Sequence, residues 1–515
     1  MTDVVLISPS NATNTYQSLS KDYSAVEPPT WALLLAESCR SKGFEPAIID
    51  CLAEKLTDEK AIEKLVNYKP KVICFVVYGQ NVNAGTTNMS GAVRLASVIK
   101  NSKINVPIGF IGSHVQALPK QTLENEQSID FVFLNEGVYS LLNLLKLKEI
   151  SIKNLLKIPG LAIKDGKNIF FSPPEDVVQN ENMDVDMPGY AWDLLPFNKK
   201  PLDLYRSPFW HAEYIDENRT PYAAIQTSIG CQFKCNFCMI NLINKNDNLD
   251  ESKSSDYNKM RHWSVDFVEK QFKILINLGV KTIRITDEMF LLNKKYYLPI
   301  LESLIKLNQN DDLRLWAYAR IDTVPNPEIL KKVRKAGIKW LCLGIESGSK
   351  KIRLEVSKGR FEDVKVEEVV KQIENADINI MGNYIFGLPG DNKETIEQTY
   401  KLSEKLNTLG WNTYAAMALP GSPLYFQAKL NGWKLPKKYE EYSFHSYETL
   451  PLPTEHLEAH EILQLRDDKF TQYFQRPKFL NRIKNKFGKE AAENIKKMTK
   501  IKLKRKIIEE AKIRM

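Results

Sequence analysis

The 515-residue sequence predicts an α/β protein with three parts: a doubly wound parallel sheet, a partial six-unit (βα) barrel and a helical, basic C-terminal region. Two observations carry this. Short, almost continuously apolar runs alternate with amphipathic stretches, the mark of parallel strands covered on both faces by helices. The alternation breaks once, in a Pro- and aromatic-rich stretch, and then resumes. That divides the chain into residues 1–150, a connector at 151–222, a barrel at 223–430 and a helical tail at 431–515.

In the first part, "VVLISP" (4–9), "PAIID" (46–50), "VICFVVY" (72–78), "IGFIG" (108–112) and "FVFL" (131–134) read as buried strands. Helical periodicity fills 31–42, 59–67, 87–100 and 138–147. Ligands of such sheets bind beyond the carboxyl ends of the strands. The residues there ("SPSNAT", "GQNVNAGTTN", "GSHVQA" and "NEGVYS") are small, polar and Gly-containing. In the barrel, strands are predicted at 223–228, 282–287, 314–320, 340–346, 379–387 and 412–418. The helices between them are predicted at 264–278, 295–307, 327–336, 362–376 and 392–408. The active site of a (βα) barrel lies at the carboxyl ends of its strands.

Composition excludes several classes. With 43% hydrophobic and 26% charged residues the chain is neither disordered nor fibrous. It has no apolar run near the ~18–20 residues of a spanning helix and no signal-peptide pattern, so a cytoplasmic protein is expected. The formal charge of +9 sits in residues 481–515, where thirteen Lys or Arg face four Asp or Glu. The remaining residues balance, so the charge argues for a solvated tail face more than for nucleic acid. Residues 450–488 read either as a cap over the barrel mouth or as helices packed outside it.

Four of the seven cysteines (Cys39, Cys51, Cys74, Cys342) are scattered singly, as buried thiols are. The other three, Cys231, Cys235 and Cys238, crowd into "GCQFKCNFC" after the first barrel strand. A structural zinc site would call for a fourth Cys or His. Core cysteines would not sit in a polar, loop-like segment. An iron–sulfur cluster usually takes four thiolates; three leave one iron open to a substrate or cosubstrate.

This segment resembles the C-x3-C-x-aromatic-C signature of radical S-adenosylmethionine (SAM) enzymes, with Phe237 as the aromatic residue. The resemblance implies a 4Fe-4S cluster on Cys231, Cys235 and Cys238 whose open iron binds SAM, and reductive SAM cleavage to a 5′-deoxyadenosyl radical. It also implies SAM contacts at successive strand ends. These are Asp287 or Glu288 in "RITDEMF", Arg320 in "WAYARID", Glu346 in "GIESG", and Gly387 and Pro389 in "GNYIFGLPGD", with Pro420–Pro423 closing the pocket. Each has a blander alternative, as helix cap, rim salt bridge or simple turn.

Residues 1–150, with the linker "GYAWDLLPF", are similar to the domain that precedes the barrel in cobalamin-dependent radical SAM enzymes. The resemblance spans roughly residues 1–430. It implies cobalamin on the carboxyl edge of the first sheet, near Pro9, Ser10, Gly79, Gln80, Asn81, Gly112, Ser113, His114, Glu136 and Gly137. The D-x-H-x-x-G motif of methionine-synthase-type cobalamin proteins is absent, so cobalamin without a protein imidazole is expected, and His114 as a polar loop residue. A degenerate scaffold domain is the alternative.

The implied activity is methylation of an unactivated carbon of a small molecule, in the manner of a sugar or lipid precursor. A flavodoxin- or ferredoxin-like reductant is implied too. The alternatives are cyclisation or isomerisation on the same architecture, or a non-catalytic corrinoid or iron–sulfur protein. RNA methylthiolation is disfavoured, because Cys39, Cys51 and Cys74 do not form the extra cysteine trio of that family.

Overall fold

The computed structural model describes residues 2–10, 12–79, 82–102, 104–356 and 364–514. The first sheet has seven strands: β1 Val4–Ser8, β2 Pro46–Asp50, β3 Val72–Val76, β4 Ile108–Ile111, β5 Phe131–Phe133, β6 Leu161–Asp165 and β7 Asn168–Phe171, in the order β2-β1-β3-β4-β5-β6-β7. The first five are parallel. Alternate residues explain the double winding. Val4, Leu6, Cys74 and Val76 join one core with the helix Thr30–Ser41, while Val5, Ile7, Ile73 and Phe75 join another with the helix Gly85–Lys100.

One difference from the sequence reading concerns the connector. Residues 161–171 form the hairpin β6–β7, which extends the sheet antiparallel, with Val132 opposite Ala162. Gly166, at φ +59°, makes its tight turn.

The second part holds β8 Tyr222–Ile225, β11 Thr282–Ile285, β12 Arg314–Arg320, β13 Ile338–Glu346, β14 Asn379–Phe386 and β15 Gly410–Ala415, and a separate antiparallel ribbon of β9 Ser228–Gly230 with β10 Met260–His262. Six strands lie in the order β15-β14-β13-β12-β11-β8, all parallel, in a curled half-barrel. Each strand returns beside its predecessor, so all carboxyl ends share one mouth. The first barrel strand, expected as one run over 223–228, is split between β8 and β9.

The helix Ala459–Gln475 packs on the outer face of β15. Tyr473 stacks on Trp411 at 5.2 Å and donates to the Thr408 carbonyl at 3.0 Å. Together with Pro477–Phe487 and Lys489–Thr499 it forms a bundle outside the barrel. Arg505, 3% exposed, anchors the basic tail through Asp467. Among the described residues no helix is long and apolar enough to cross a membrane.

Candidate functional site

Gly230, at φ +84°, ends β9, and a side chain there would meet the Lys259 carbonyl at 2.2 Å. Only glycine lets the chain turn so closely into Cys231. The loop is then tied at every step. The Cys231 N–H donates to Asn241 Oδ1 at 2.8 Å, and Asn241 Nδ2 donates to the Phe233 carbonyl at 3.3 Å. The Cys238 carbonyl accepts from Ser254 Oγ at 2.6 Å. The Pro420–Pro423 turn closes over it: the Leu424 N–H reaches the Asn236 carbonyl at 2.7 Å, and the Ser254 N–H reaches the Gly421 carbonyl at 2.8 Å. Residue 83, on the first domain, spans the gap. Asn83 Oδ1 accepts from the Met239 N–H at 2.9 Å and its Nδ2 donates to Cys238 Sγ at 3.6 Å.

All three thiols are free. Burial pushes the Cys231 thiol up to about 12, Cys235 up to about 11, and Cys238 well above the ordinary range. Among the described residues no three His, Cys, Asp or Glu side chains converge as ligands of a single metal ion. Phe237 packs in the apolar cluster around Cys231 and Met239.

The acidic residues at the strand ends divide by environment. Asp287 is 1% exposed and accepts from the Thr227 N–H, Thr227 Oγ1 and Ser228 Oγ, each at 2.6 Å. It pins the β8–β9 corner beneath the cysteine loop. Its neighbour Glu288 and the β13-terminal Glu346 are half-buried and, among the described residues, their carboxyl groups have no hydrogen-bond or ion-pair partner. Burial pushes both carboxyls up to about 7. Glu346 takes φ +62° at a register shift between β13 and β14, which marks it as strained. Arg320 lies 3.6 Å over the Phe233 ring and pairs with Asp322 through two 2.5 Å bonds. Gly387, at φ +80°, starts a turn whose N–H groups at 387 and 388 donate to Asp391 Oδ2 at 3.0 and 3.1 Å. Pro389 offers its carbonyl to the Glu455 N–H at 3.3 Å.

At the carboxyl edge of the first sheet, Pro9, Gly79, Tyr78, Ala84, Thr87 and Glu27 border a cavity of about 110 Å³. That is below the ~300–1,000 Å³ of ordinary ligand pockets, so it would take an edge of a macrocycle rather than a whole one. Ser10 is half-buried beside it; Gln80 and Asn81 lie outside the described residues. Gly112 and Gly137 are packing residues, since a Cβ would meet the Val77 carbonyl carbon at 2.7 Å and Ile111 Cδ1 at 2.2 Å respectively. Ser113 is buried. His114 does not border the cavity: its Nδ1 lies 3.3 Å from Thr86 Oγ1 and its ring meets Tyr439 edge-on at 5.1 Å. Burial lowers it to about 4, a neutral imidazole. Glu136 turns away from the edge. Its Oε2 accepts from Arg261 at 2.6 Å and its Oε1 from the Val178 N–H at 2.6 Å, a fully buried link to the barrel ribbon.

Several polar residues inside the half-barrel were invisible in the sequence because they carry no motif. Trp411 and Tyr473 stack outside β15, so strand alternation turns Asn412 and Tyr414 inward. There the Asn412 amide donates to Asn383 Oδ1 at 3.2 Å and to the Tyr414 hydroxyl, and Asn383 Nδ2 donates to Cys342 Sγ at 3.1 Å. Arg284 of β11 holds Glu27 of the first domain through bonds of 2.6 and 2.7 Å and donates to Tyr318 Oη at 2.5 Å. The barrel lumen is therefore polar, and the first domain contributes a carboxylate to it.

Two family models match the chain: the Radical SAM superfamily over residues 225–403 and the B12 binding domain over residues 21–145. An uncharacterized methyltransferase of Pyrococcus horikoshii is 27% identical over 472 residues, 90% of this chain and 92% of the relative. An anaerobic magnesium-protoporphyrin IX monomethyl ester cyclase of Cereibacter sphaeroides is 24% identical over 80% of this chain and 62% of its own length. The structure of the radical SAM methyltransferase TsrM of Kitasatospora setae, with cobalamin and a 4Fe-4S cluster bound, superposes with a TM-score of 0.65 at 15% identity. It covers 93% of this chain and 90% of that one.

The cofactors of these two domains are a 4Fe-4S cluster with SAM, and cobalamin. The donor set fits the cluster: three free thiols on a rigid loop, with N–H groups of Asn83 and Phe233 directed at two of the sulfurs. It fits SAM, because two half-buried carboxyls beside those thiols await cationic or hydroxyl partners. It fits cobalamin, because Pro9, Gly79 and Ala84 leave room at the sheet edge and, among the described residues, no imidazole borders it. The chain thus carries a B12 binding domain followed by a radical SAM domain, and in that arrangement it resembles the cobalamin-dependent radical SAM enzymes.

Proposed function

We propose that this chain methylates an unactivated carbon of a small molecule. The observation that carries the reading is the facing of two edges. The three-cysteine loop at the half-barrel mouth is hydrogen-bonded through Asn83 to the turn that borders the cavity of the first sheet. When bound, the cofactors supply one-electron cleavage of SAM on one side and methyl transfer on the other.

The residues of the chain then have distinct roles. Cys231, Cys235 and Cys238 hold the cluster, with Phe237 shielding it. Glu288 and Glu346 orient the charged and hydroxyl groups of SAM, while Gly387 and Pro389 shape the turn beside it. Arg320, fixed by Asp322 and stacked on Phe233, braces the loop. Asp287 positions the corner and contacts no ligand directly. Pro9, Ser10 and Gly79 line the cobalamin edge. The Asn383–Asn412–Tyr414 belt faces the substrate, and its hydrogen-bonding groups favour a polar molecule. Holding both cofactors against one carbon is the contribution of the fold. A flavodoxin- or ferredoxin-like protein is the proposed reductant.

The test is anaerobic reconstitution with iron, sulfide and hydroxocobalamin, followed by incubation with methyl-deuterated SAM, reductant and candidate substrates. Formation of both 5′-deoxyadenosine and S-adenosylhomocysteine, with label in the product, is the expected result. Cluster assembly without corrinoid binding would remove the cobalamin chemistry. The likeness to the ester cyclase favours a second reading, cyclisation or rearrangement, which would give 5′-deoxyadenosine with no label transferred.

A further inference from the structure

We propose that Asn83 is a positioning residue that couples occupancy of the cobalamin edge to the reduction potential of the cluster. The inference rests on Cys238 being a cluster ligand. Asn83 belongs to the short 3-10 turn Val82–Ala84, and its neighbour Ala84 borders the cavity together with Gly79, Thr87 and Asn88. The same turn leads into the helix Gly85–Lys100, which is buried against the sheet. A ligand seated on this edge therefore bears on the turn that carries Asn83.

The Asn83 side chain grips the cysteine loop at both of its polar atoms. Its carbonyl oxygen accepts from the Met239 N–H at 2.9 Å, which fixes the amide plane and leaves the NH2 facing Cys238 Sγ at 3.6 Å. An N–H directed at a cluster sulfur offsets the negative charge gained on reduction, so it raises the reduction potential. Glu288 and the other two cysteines oppose thiolate charge on Cys238, and the Ile240 backbone N–H is the other donor that favours it. A small displacement of the turn would lengthen a contact already at 3.6 Å and weaken the donation. The arrangement makes the cluster easier or harder to reduce according to what the first sheet holds.

The experiment is an EPR-monitored redox titration of the reconstituted full-length protein, with and without hydroxocobalamin, for wild type, Asn83→Leu and Asn83→Ser. In wild type the midpoint should differ between the two loading states. In Asn83→Leu, with iron and sulfide content unchanged, the ratio of reduced to oxidised cluster at a fixed poise should fall about tenfold, equivalent to ~59 mV for one electron. The dependence on hydroxocobalamin should vanish. Asn83→Ser keeps an oxygen near the Met239 N–H but lacks the amide donor, so it should reproduce the shift if the leucine variant fails to assemble a cluster. Midpoints within error of wild type in the serine variant, or a wild-type midpoint indifferent to cobalamin, would overturn the proposal. Cys238→Ala serves as the control: a variant that kept its cluster would strike at the ligand assignment itself, not at Asn83.

Discussion

Arg261→Met tests how the two sheets are held in register. The Arg261 guanidinium is fully buried and makes three bonds: to Glu136 Oε2 at 2.6 Å, the Val178 carbonyl at 2.8 Å and Asn244 Oδ1 at 3.0 Å. Methionine fills much of the volume but leaves the Glu136 carboxylate, 1% exposed, with the Val178 N–H as its one partner among the described residues. Removing one partner of a buried pair costs about 3–5 kcal/mol, because the remaining charge is uncompensated. For a domain of this size, ~2–4 °C per kcal/mol translates that into a fall of roughly 6–20 °C in the thermal midpoint. The assay is thermal denaturation of Arg261→Met, Glu136→Gln and the double variant. The double variant should cost less than the two singles together by about 1–3 kcal/mol, the coupling expected of groups in contact. A midpoint within about 2 °C of wild type, or strictly additive costs, would refute the claim that this pair joins the first sheet to the barrel ribbon.

Further outcomes follow from the same geometry. Cys235→Ala should abolish cluster iron and SAM cleavage together; retained cleavage would contradict the ligand assignment. Gly421→Ala should weaken the loop, because φ +84° is strained for alanine and its Cβ would meet Leu242 Cδ1 at 2.6 Å. The check is a lower iron content after gel filtration, with the fold preserved by circular dichroism. His114 is held near pKa 4 against about 6.5 unfolded. The unfolded chain therefore takes up a proton first as pH falls, and stability should be lost between roughly pH 6.5 and 4. Urea titrations of His114→Phe should show a flatter slope in that window. The same variant should leave the visible spectrum of bound cobalamin unchanged. Asp287→Asn should disturb the Thr227–Ser228 corner, seen as cluster loss on dilution, while Glu288→Gln should spare the cluster and weaken SAM binding by calorimetry.

The strands and helices were legible along the chain because nearly all are buried on both faces or amphipathic, and burial writes itself into apolar periodicity. The three cysteines were equally legible, since thiolate ligation demands particular residues at close spacing. The hairpin at 161–171 carried a weaker sign, the Gly166 that opens its two-residue turn, within strands too short to stand out. Asp287 and Glu288 are adjacent acids at one strand end, indistinguishable by sequence. The Thr227–Ser228 corner makes one a structural acceptor, while the other stays half-buried near the cysteines. Glu136 and His114 stand at the expected sheet edge, yet contacts with Arg261, Thr86 and Tyr439 draw them off it, and those partners lie 28 to 325 positions away in the chain. Asn83, Asn383 and Asn412 carry no motif at all. Composition and periodicity determine which elements form and which ligand chemistry is present. The pairing of one polar group with another across two sheets depends on where the chain returns in space, and only the tertiary structure decides it.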